Sequence, residues 1–358
     1  MKTTVLRLAL VGLAGVAGCV EEHRPVPARS VTCRRALGPA SSQPVHWAVP
    51  TAEAARLKLD AFCAGVGPAL VQWPAAADTI PPAAHGLVAV AWNVGIGAGD
   101  LDALIRDLRA GELTDRNAPG DFVLLLQEAH RADGTVPVQA ELPPPAAGGG
   151  HRPPPAGRAG VAAVARRYGL WLFYAPSMRN GLVQDAAPFE DRGNAILATA
   201  PLRRLAVHEL TAGRQRRTVL FATLDVRLPD GRVAPVRLIS THFDNFSIRR
   251  PVASLGAIRA EQAAELLRLL PDSDPILLGA DLNTWMGGTD ETAFELLRPM
   301  FPEPASPGGE PTAERLGIPR ALDYLLLRAP EWWTLHTRRI DWRYGSDHHP
   351  VLGWIIVG

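Results

Sequence analysis

Lysine is almost missing from this 358-residue chain. Of its 37 basic residues only Lys2 and Lys58 are lysines, and arginine supplies the rest. Pairs such as Arg203-Arg204, Arg249-Arg250 and Arg338-Arg339 therefore follow the composition and mark no binding patch. Net charge is also scarce. The formal balance is +1, so no global positive field draws a polyanionic partner. Cysteine occurs three times, at positions 19, 33 and 63. No internal repeat is visible, and the apolar stretch at 8–17 is too short to span a bilayer. What is present is 47% hydrophobic and 20% charged residues, the balance of a globular protein. The length suits one large domain with extensions or two modest ones.

The N-terminus reads as a targeting segment. Met1-Lys2 and Arg7 are cationic, 8–17 is apolar, and the stretch ends in Val16-Ala17-Gly18-Cys19. It resembles the lipobox of bacterial lipoproteins, in which the cysteine becomes residue one and carries lipid. The resemblance implies a signal peptide over 1–19, lipidation at Cys19 and an exported cell-envelope lipoprotein. Its place would be the outer membrane or the periplasmic face, tethered through the lipid anchor. An ordinary signal peptide cut near Gly18 implies secretion instead. Position 20 is Val and not Asp, so nothing resembles an inner-membrane retention signal.

Export changes the cysteine arithmetic. With Cys19 acylated, Cys33 and Cys63 remain as an even pair in an oxidising compartment, and a disulfide between them is expected. It would close a loop of about thirty residues, worth roughly 3–4 kcal/mol. No third cysteine is left as a nucleophile or zinc ligand.

Residues 20–85 read as a tether and N-terminal extension, polar and Pro-rich at 21–30, with a helix over 52–63. From 86 to 358 strands and helices alternate. Strands are expected at 87–92, 121–126, 170–174, 195–199, 205–210, 217–227, 232–241, 275–280, 322–327 and 351–357. Helices are expected at 100–110, 158–168, 254–270 and 291–297. Asp230-Gly231 makes a hairpin turn. Residues 133–158 hold two triple-proline runs and three consecutive glycines, a low-complexity loop that packs no core. Mixed elements over this length point to one α/β domain cored by paired sheets.

Acids, amides and histidines fall at the C-terminal tips of the short apolar runs. Asn93 and Glu128 each follow a buried strand. A carboxylate plus an amide oxygen suits Mg²⁺ or Mn²⁺, whereas zinc would want more His or Cys. Asp281 and Asn283, at i, i+2 spacing, put both side chains on one side of an extended segment. The carboxylate there can orient or deprotonate water, and the amide can donate to a phosphoryl oxygen. Asp323 enters an apolar strand, costly unless paired. His348 is the partner it needs, and the pair has the pattern of an oriented general base. Asp347 can reach the metal, and His349 points to the opposite face as a structural residue. His242 can stabilise phosphoryl charge or protonate a leaving group.

Together the blocks resemble one family. They are Asn93 after a tryptophan, Gln127-Glu128, Arg192-Gly193-Asn194-Ala195-Ile196-Leu197, Thr241-His242, Gly279-Ala280-Asp281-Leu282-Asn283, Leu322-Asp323-Tyr324 and Ser346-Asp347-His348-His349-Pro350. In this order they are similar to the endonuclease/exonuclease/phosphatase superfamily, across about 86–358. The resemblance implies a deoxyribonuclease-I-like four-layer α/β sandwich and Mg²⁺-dependent phosphoester hydrolysis. It implies that Asn93 and Glu128 bind the metal with Asp347 nearby. Asp281 and Asn283 would position the water and the scissile phosphate, and His348, oriented by Asp323, is the catalytic histidine. His242 would contact phosphate from the opposite side, with Asn245 touching it too. The Pro/Gly-rich loop looks like an insertion.

The substrate stays open between a nucleic acid and a lipid headgroup or small phosphoester; the near-neutral charge weighs mildly against the first. Trp332-Trp333 and Trp342-Arg343-Tyr344 lie between Asp323 and His348 and are expected to border the site or form a buried cluster. A non-catalytic binding lipoprotein would have lost a catalytic group, and none is missing. The protein is expected to act as a monomer.

Overall fold

The computed structural model describes residues 23–26, 32–38, 44–74, 83–84, 86–137, 155–180, 189–245, 256–272, 275–285, 287–302, 310–315 and 317–357. Cys19, the signal segment and most of the Pro/Gly-rich loop lie outside them.

Two sheets stack face to face. The first orders its strands His23–Val26, His46–Pro50, Leu202–Leu210, Arg217–Arg227, Val233–His242, Ile276–Asp281 and Asp323–Arg328, with Ala83–Ala84 beside Arg217–Arg227. The second runs Trp333–Arg339, Val351–Val357, Gly86–Asn93, Phe122–Ala132, Glu190–Ala198, Trp171–Asn180, Ala69–Gln72 and Ala36–Leu37. Between the sheets lies a core that includes Ala91, Leu125, Ile196, Leu220, Leu238, Leu277 and Leu325. A second core joins the outer face of the second sheet to helices α2 (Leu101–Ala110) and α3 (Val161–Tyr168). A third joins the outer face of the first sheet to α4 (Ala257–Leu269) and α5 (Thr292–Leu297). Helix, sheet, sheet, helix is the expected four-layer α/β sandwich. Each fully buried Val, Leu, Ile or Phe in these layers contributes roughly 1.5–3 kcal/mol.

The helices form where their sequences say they should. In α2, Leu101, Leu104, Ile105 and Leu108 make one buried stripe. Asp100 caps it by accepting from the Ala103 amide at 3.0 Å, and Gly111 ends it in the left-handed region. Gly169 ends α3 in the same way.

Strand alternation decides where the polar tips point. In Gly86–Asn93, Leu87, Ala89 and Ala91 face the inter-sheet core, while Val88, Val90 and Trp92 face the helices. One more step puts Asn93 on the inter-sheet side. The same count carries Val123 and Leu125 to Gln127, Leu277 to Asp281, Val236 and Leu238 to His242, and Leu327 and Leu325 to Asp323. At one end of the sandwich the inter-sheet core therefore turns from apolar to polar. Register aligns the tips, with His242 opposite Asp281, Asp281 opposite Asp323 and Asn93 opposite Gln127. Gly279 lets the sheets close here: a Cβ on it would sit 2.5 Å from Leu125 Cβ and 3.2 Å from Ala91 Cβ.

One expectation needs correction, and one open alternative is decided. Strands of the described residues before 86 are built into the sandwich, although 20–85 reads as a tether and an extension outside the 86–358 domain. His23–Val26 pairs with His46–Pro50, which runs parallel to Leu202–Leu210, and Ala69–Gln72 pairs with Trp171–Asn180. Trp47, Ala69 and Val71 enter the inter-sheet core. These strands are short and interrupted by proline and glycine, so no sustained period reveals them. Around them α1 (Glu53–Cys63) forms as expected, and a disulfide joins Cys33 to Cys63 with Cα atoms 5.4 Å apart.

The structure decides between the two expectations for Trp332-Trp333. Trp333 opens a strand absent from the sequence reading, pairs with Val357 and is buried at the end of the sheet away from the polar tips. Arg339 pairs with Val351 at the other end, so only the Trp342 stretch lies on the polar side.

Candidate active site

The first sheet brings Asp281 and Asp323, and the segment leading into Val351–Val357 of the second sheet brings His348, to form a buried triad. His348 Nδ1 lies 2.7 Å from Asp323 Oδ2. Asp281, Asp323 and His348 each bring one ligand-capable atom within 4.8 Å of the others. Burial disfavours the charged imidazolium, but Asp323, Asp281 and Asp347 outweigh it and push His348 up to about 10. Burial, followed by the like charge of Asp323, raises the Asp281 carboxyl above its ordinary range.

Asp281 is held from three directions. Its Oδ1 accepts from the Asn283 amide N–H at 2.8 Å, and its Oδ2 accepts from Asn93 Nδ2 at 2.7 Å. The same Oδ2 is 3.2 Å from His242 Nε2. Asn283 sits at φ 52°, a left-handed conformation that asparagine tolerates better than most residues. Its Nδ2 donates to the Phe243 carbonyl at 2.9 Å and lies 2.7 Å from His242 Nε2. Burial, then the positive charges of Arg217, His348 and Arg192, hold His242 well below its ordinary range.

The second sheet supplies oxygens around one loop. Asn93 Oδ1 accepts from Gly95 N–H at 2.9 Å, and Glu128 Oε2 accepts from Ile96 N–H at 2.9 Å. Asp347 Oδ1 stands 2.9 Å from where a Gly95 Cβ would be. The three expected metal residues thus gather on residues 93–96, which the first sheet reaches through Asp281. Glu128 arrives there by a bulge. The register slips between Leu126 and Ala129, and Glu128 takes φ 52°, which turns its side chain toward the loop. Its Oε1 is 4.0 Å from His242 Nδ1. Oxygen donors alone, with no thiolate, fit a hard divalent cation. Asn93, Glu128 and Asp347 would hold it.

Asn245, three residues beyond His242, ends with its amide oxygen buried and without a hydrogen-bond partner among the described residues. His349 faces away: its Nδ1 meets the Ile340 carbonyl and its Nε2 accepts from Arg343 Nε, as a structural residue should.

Several supporting groups escape sequence reasoning. Ser346 Oγ donates to the Asn93 carbonyl at 2.7 Å and accepts the His348 amide at 3.1 Å. Trp92 Nε1 donates to the His348 carbonyl at 3.1 Å. Both residues stand within recognised blocks, but the sequence assigns them no role. Thr312 carries none. Its Oγ1 accepts the Leu322 and Asp323 amides at 3.0 Å, and its carbonyl accepts the His349 amide at 2.7 Å. Gln127 ties the sheets together, with Nε2 donating to Ser240 Oγ and the Gly279 carbonyl at 3.2 Å. Arg217 is buried on the His242 side, and its Nε and Nη2 lack partners among the described residues.

Solved structures resemble this chain. An endonuclease/exonuclease/phosphatase from Beutenbergia cavernae DSM 12333 superposes with a TM-score of 0.50 at 20% identity, covering 76% of this chain and 72% of that one. An endonuclease/exonuclease/phosphatase family protein from Leptotrichia buccalis matches at 0.46 and 12% identity, over 75% and 99%. Sphingomyelinase C from Streptomyces griseocarneus matches at 0.40 and 16% identity, over 75% and 99%. No curated protein matches the sequence. The model of the Endonuclease/Exonuclease/phosphatase family matches residues 90–348, well over half the chain. The chain belongs to the endonuclease/exonuclease/phosphatase family.

Proposed function

We propose that the protein is a metal-dependent phosphoester hydrolase, acting as an exported, nuclease-like phosphodiesterase. The observation that carries this reading is the convergence of the His348–Asp323 pair, Asp281, Asn283 and His242 with the oxygens of Asn93, Glu128 and Asp347. They meet at the polar end of the inter-sheet core.

Each group has a task in that reading. Asp281, its carboxyl raised by burial and by Asp323, orients a water for in-line attack and takes up its proton. Asp323 orients the His348 ring and supports its positive charge, which stabilises the phosphoryl oxygens as the transition state forms. His242, Asn283 and Asn245 border the phosphoryl group from the opposite side. A bound Mg²⁺ or Mn²⁺ would supply a Lewis acid that neutralises charge on a phosphoryl oxygen. No covalent intermediate with the protein is required.

A lipid-headgroup or small-molecule phosphodiesterase or phosphatase is the second reading. Trp342, 69% exposed on the segment leading to Asp347 and His348, favours it, since an exposed indole beside the site suits a membrane interface. Tethering through Cys19 would keep the enzyme near lipid.

A panel of plasmid DNA, RNA, sphingomyelin, phosphoinositides and bis-nitrophenyl phosphate, with Mg²⁺ or with chelator, tests both. Chelator-sensitive cleavage that Asp281→Asn abolishes supports a hydrolase, and the substrate cleaved selects the reading. No turnover of any substrate with Mg²⁺ or Mn²⁺ would reject the function. Metabolic lipid labelling that disappears in Cys19→Ser tests the anchor.

A further inference from the structure

Trp285 lies outside the residues given chemistry above, yet it touches one of them. Its Nε1 is 3.1 Å from Asn283 Oδ1. An indole N–H only donates, so the Asn283 atom facing it must be the oxygen. The Phe243 carbonyl only accepts, and at 2.9 Å it must face the amide nitrogen. The Asn283 amide is thereby fixed from both sides. Its second N–H then points at His242 Nε2, 2.7 Å away, so Nε2 has to carry a lone pair. The ring proton sits on Nδ1, on the side of Glu128 Oε1.

The other tautomer has its own partner. A proton on Nε2 would meet Asp281 Oδ2, 3.2 Å away. The two arrangements compete, and the orientation of Asn283 chooses between them. Trp285 is itself well held: its amide donates to the Asn283 carbonyl at 2.8 Å, and its carbonyl accepts from Arg320 Nε at 3.1 Å.

We infer that Trp285 is a positioning residue, whose indole N–H locks the Asn283 amide and so holds His242 as the Nδ1–H tautomer. The consequence for chemistry rests on the proposed hydrolase reading. His242 then presents its single N–H toward the oxygens of the second sheet, where the phosphoryl group would lie, and not toward Asp281.

The test reads the tautomer directly, by ¹⁵N NMR of histidine-labelled full-length protein at neutral pH, without metal or substrate. Wild type should show His242 protonated at Nδ1 alone. Trp285→Phe keeps a ring but loses the N–H, and should move His242 toward protonation at Nε2. Its kcat on bis-nitrophenyl phosphate should fall roughly 10- to 100-fold with KM little changed. Asn283→Asp keeps the acceptor for Trp285 but turns an oxygen on His242, and should protonate Nε2 outright. That variant decides the matter if Trp285→Phe does not fold. A His242 signal unchanged in a folded Trp285→Phe, or Nε2 protonated in wild type, overturns the inference. Absence of hydrolysis by wild type overturns the hydrolase reading and leaves the tautomer result standing.

Discussion

Asn93 Nδ2 donates to Asp281 Oδ2 at 2.7 Å, and with this bond the tip of one sheet meets the tip of the other. The amide has a second duty, since its oxygen accepts from Gly95 N–H. One side chain therefore couples the loop that gathers Glu128 and Asp347 to the carboxylate expected to orient water. Asn93→Ala leaves a buried carboxylate short of a donor, at about 1–3 kcal/mol of stability. The expected outcome is a slightly lowered melting temperature and an activity loss of more than about 100-fold, measured with saturating Mg²⁺. Activity within a few-fold of wild type would refute the coupling.

Asp323 acts through His348. Removing its charge in Asp323→Asn should bring His348 down from about 10 toward its ordinary value, because the largest favourable interaction is lost. The turnover number should fall by roughly 10²–10⁴, with circular dichroism unchanged. Asp281→Asn and His348→Ala should abolish turnover on the same folded background. Near-normal rates in either would break the site assignment.

Gly95 is where space and backbone both matter. It sits at φ 60°, and a Cβ there would stand 2.9 Å from Asp347 Oδ1 and 3.0 Å from Ser346 Oγ. Gly95→Ala should displace Asp347 and strain the loop. We expect Mg²⁺ affinity, followed by titration calorimetry, to weaken about 10- to 100-fold while the melting temperature changes little.

Acid stability has a histidine component. Burial lowers His130 from 6.5 to about 4. A folded-state value below the unfolded one means that the stabilisation is complete above pH 6.5. It is then lost as pH falls toward 4, by roughly 3 kcal/mol in total. Urea denaturation at successive pH values should show this decline in wild type. His130→Leu, which cannot take up the proton, should flatten it. Identical slopes in the two proteins would contradict the account.

The Cys33–Cys63 bridge closes a loop with a sequence separation of 30 and staples α1 to the segment that leads into His46–Pro50. Cys63→Ser should cost roughly 3–4 kcal/mol, and a reductant should lower the wild-type melting temperature by a similar equivalent. A melting curve insensitive to reductant would argue that the bridge carries no stability.

Much of this protein is legible without coordinates. The short apolar runs before Asn93, His242 and Asp281 announce buried strands, because covered strands read as apolar runs and a polar residue at the tip ends them. The stripe of α2 with Asp100 before it and Gly111 after it is equally plain. The family's blocks, in order, name the residues that meet. What the sequence hides is short or indirect. His46–Pro50 and Ala69–Gln72 are too brief to show a period, so they read as part of an N-terminal extension, although strand pairing builds them into both sheets. Thr312 sits 11 residues from Asp323 among glycine and proline and has no pattern at all, yet its hydroxyl accepts the amide that places the acid. Residue types and spacings thus determined the layers, the strand tips and the candidate chemistry, because these follow from local periodicity. Only the tertiary structure decided which tips touch, how the bulge aims Glu128, and that Trp285 governs the Asn283 amide. Those depend on long-range register and hydrogen-bond direction, which no local pattern encodes.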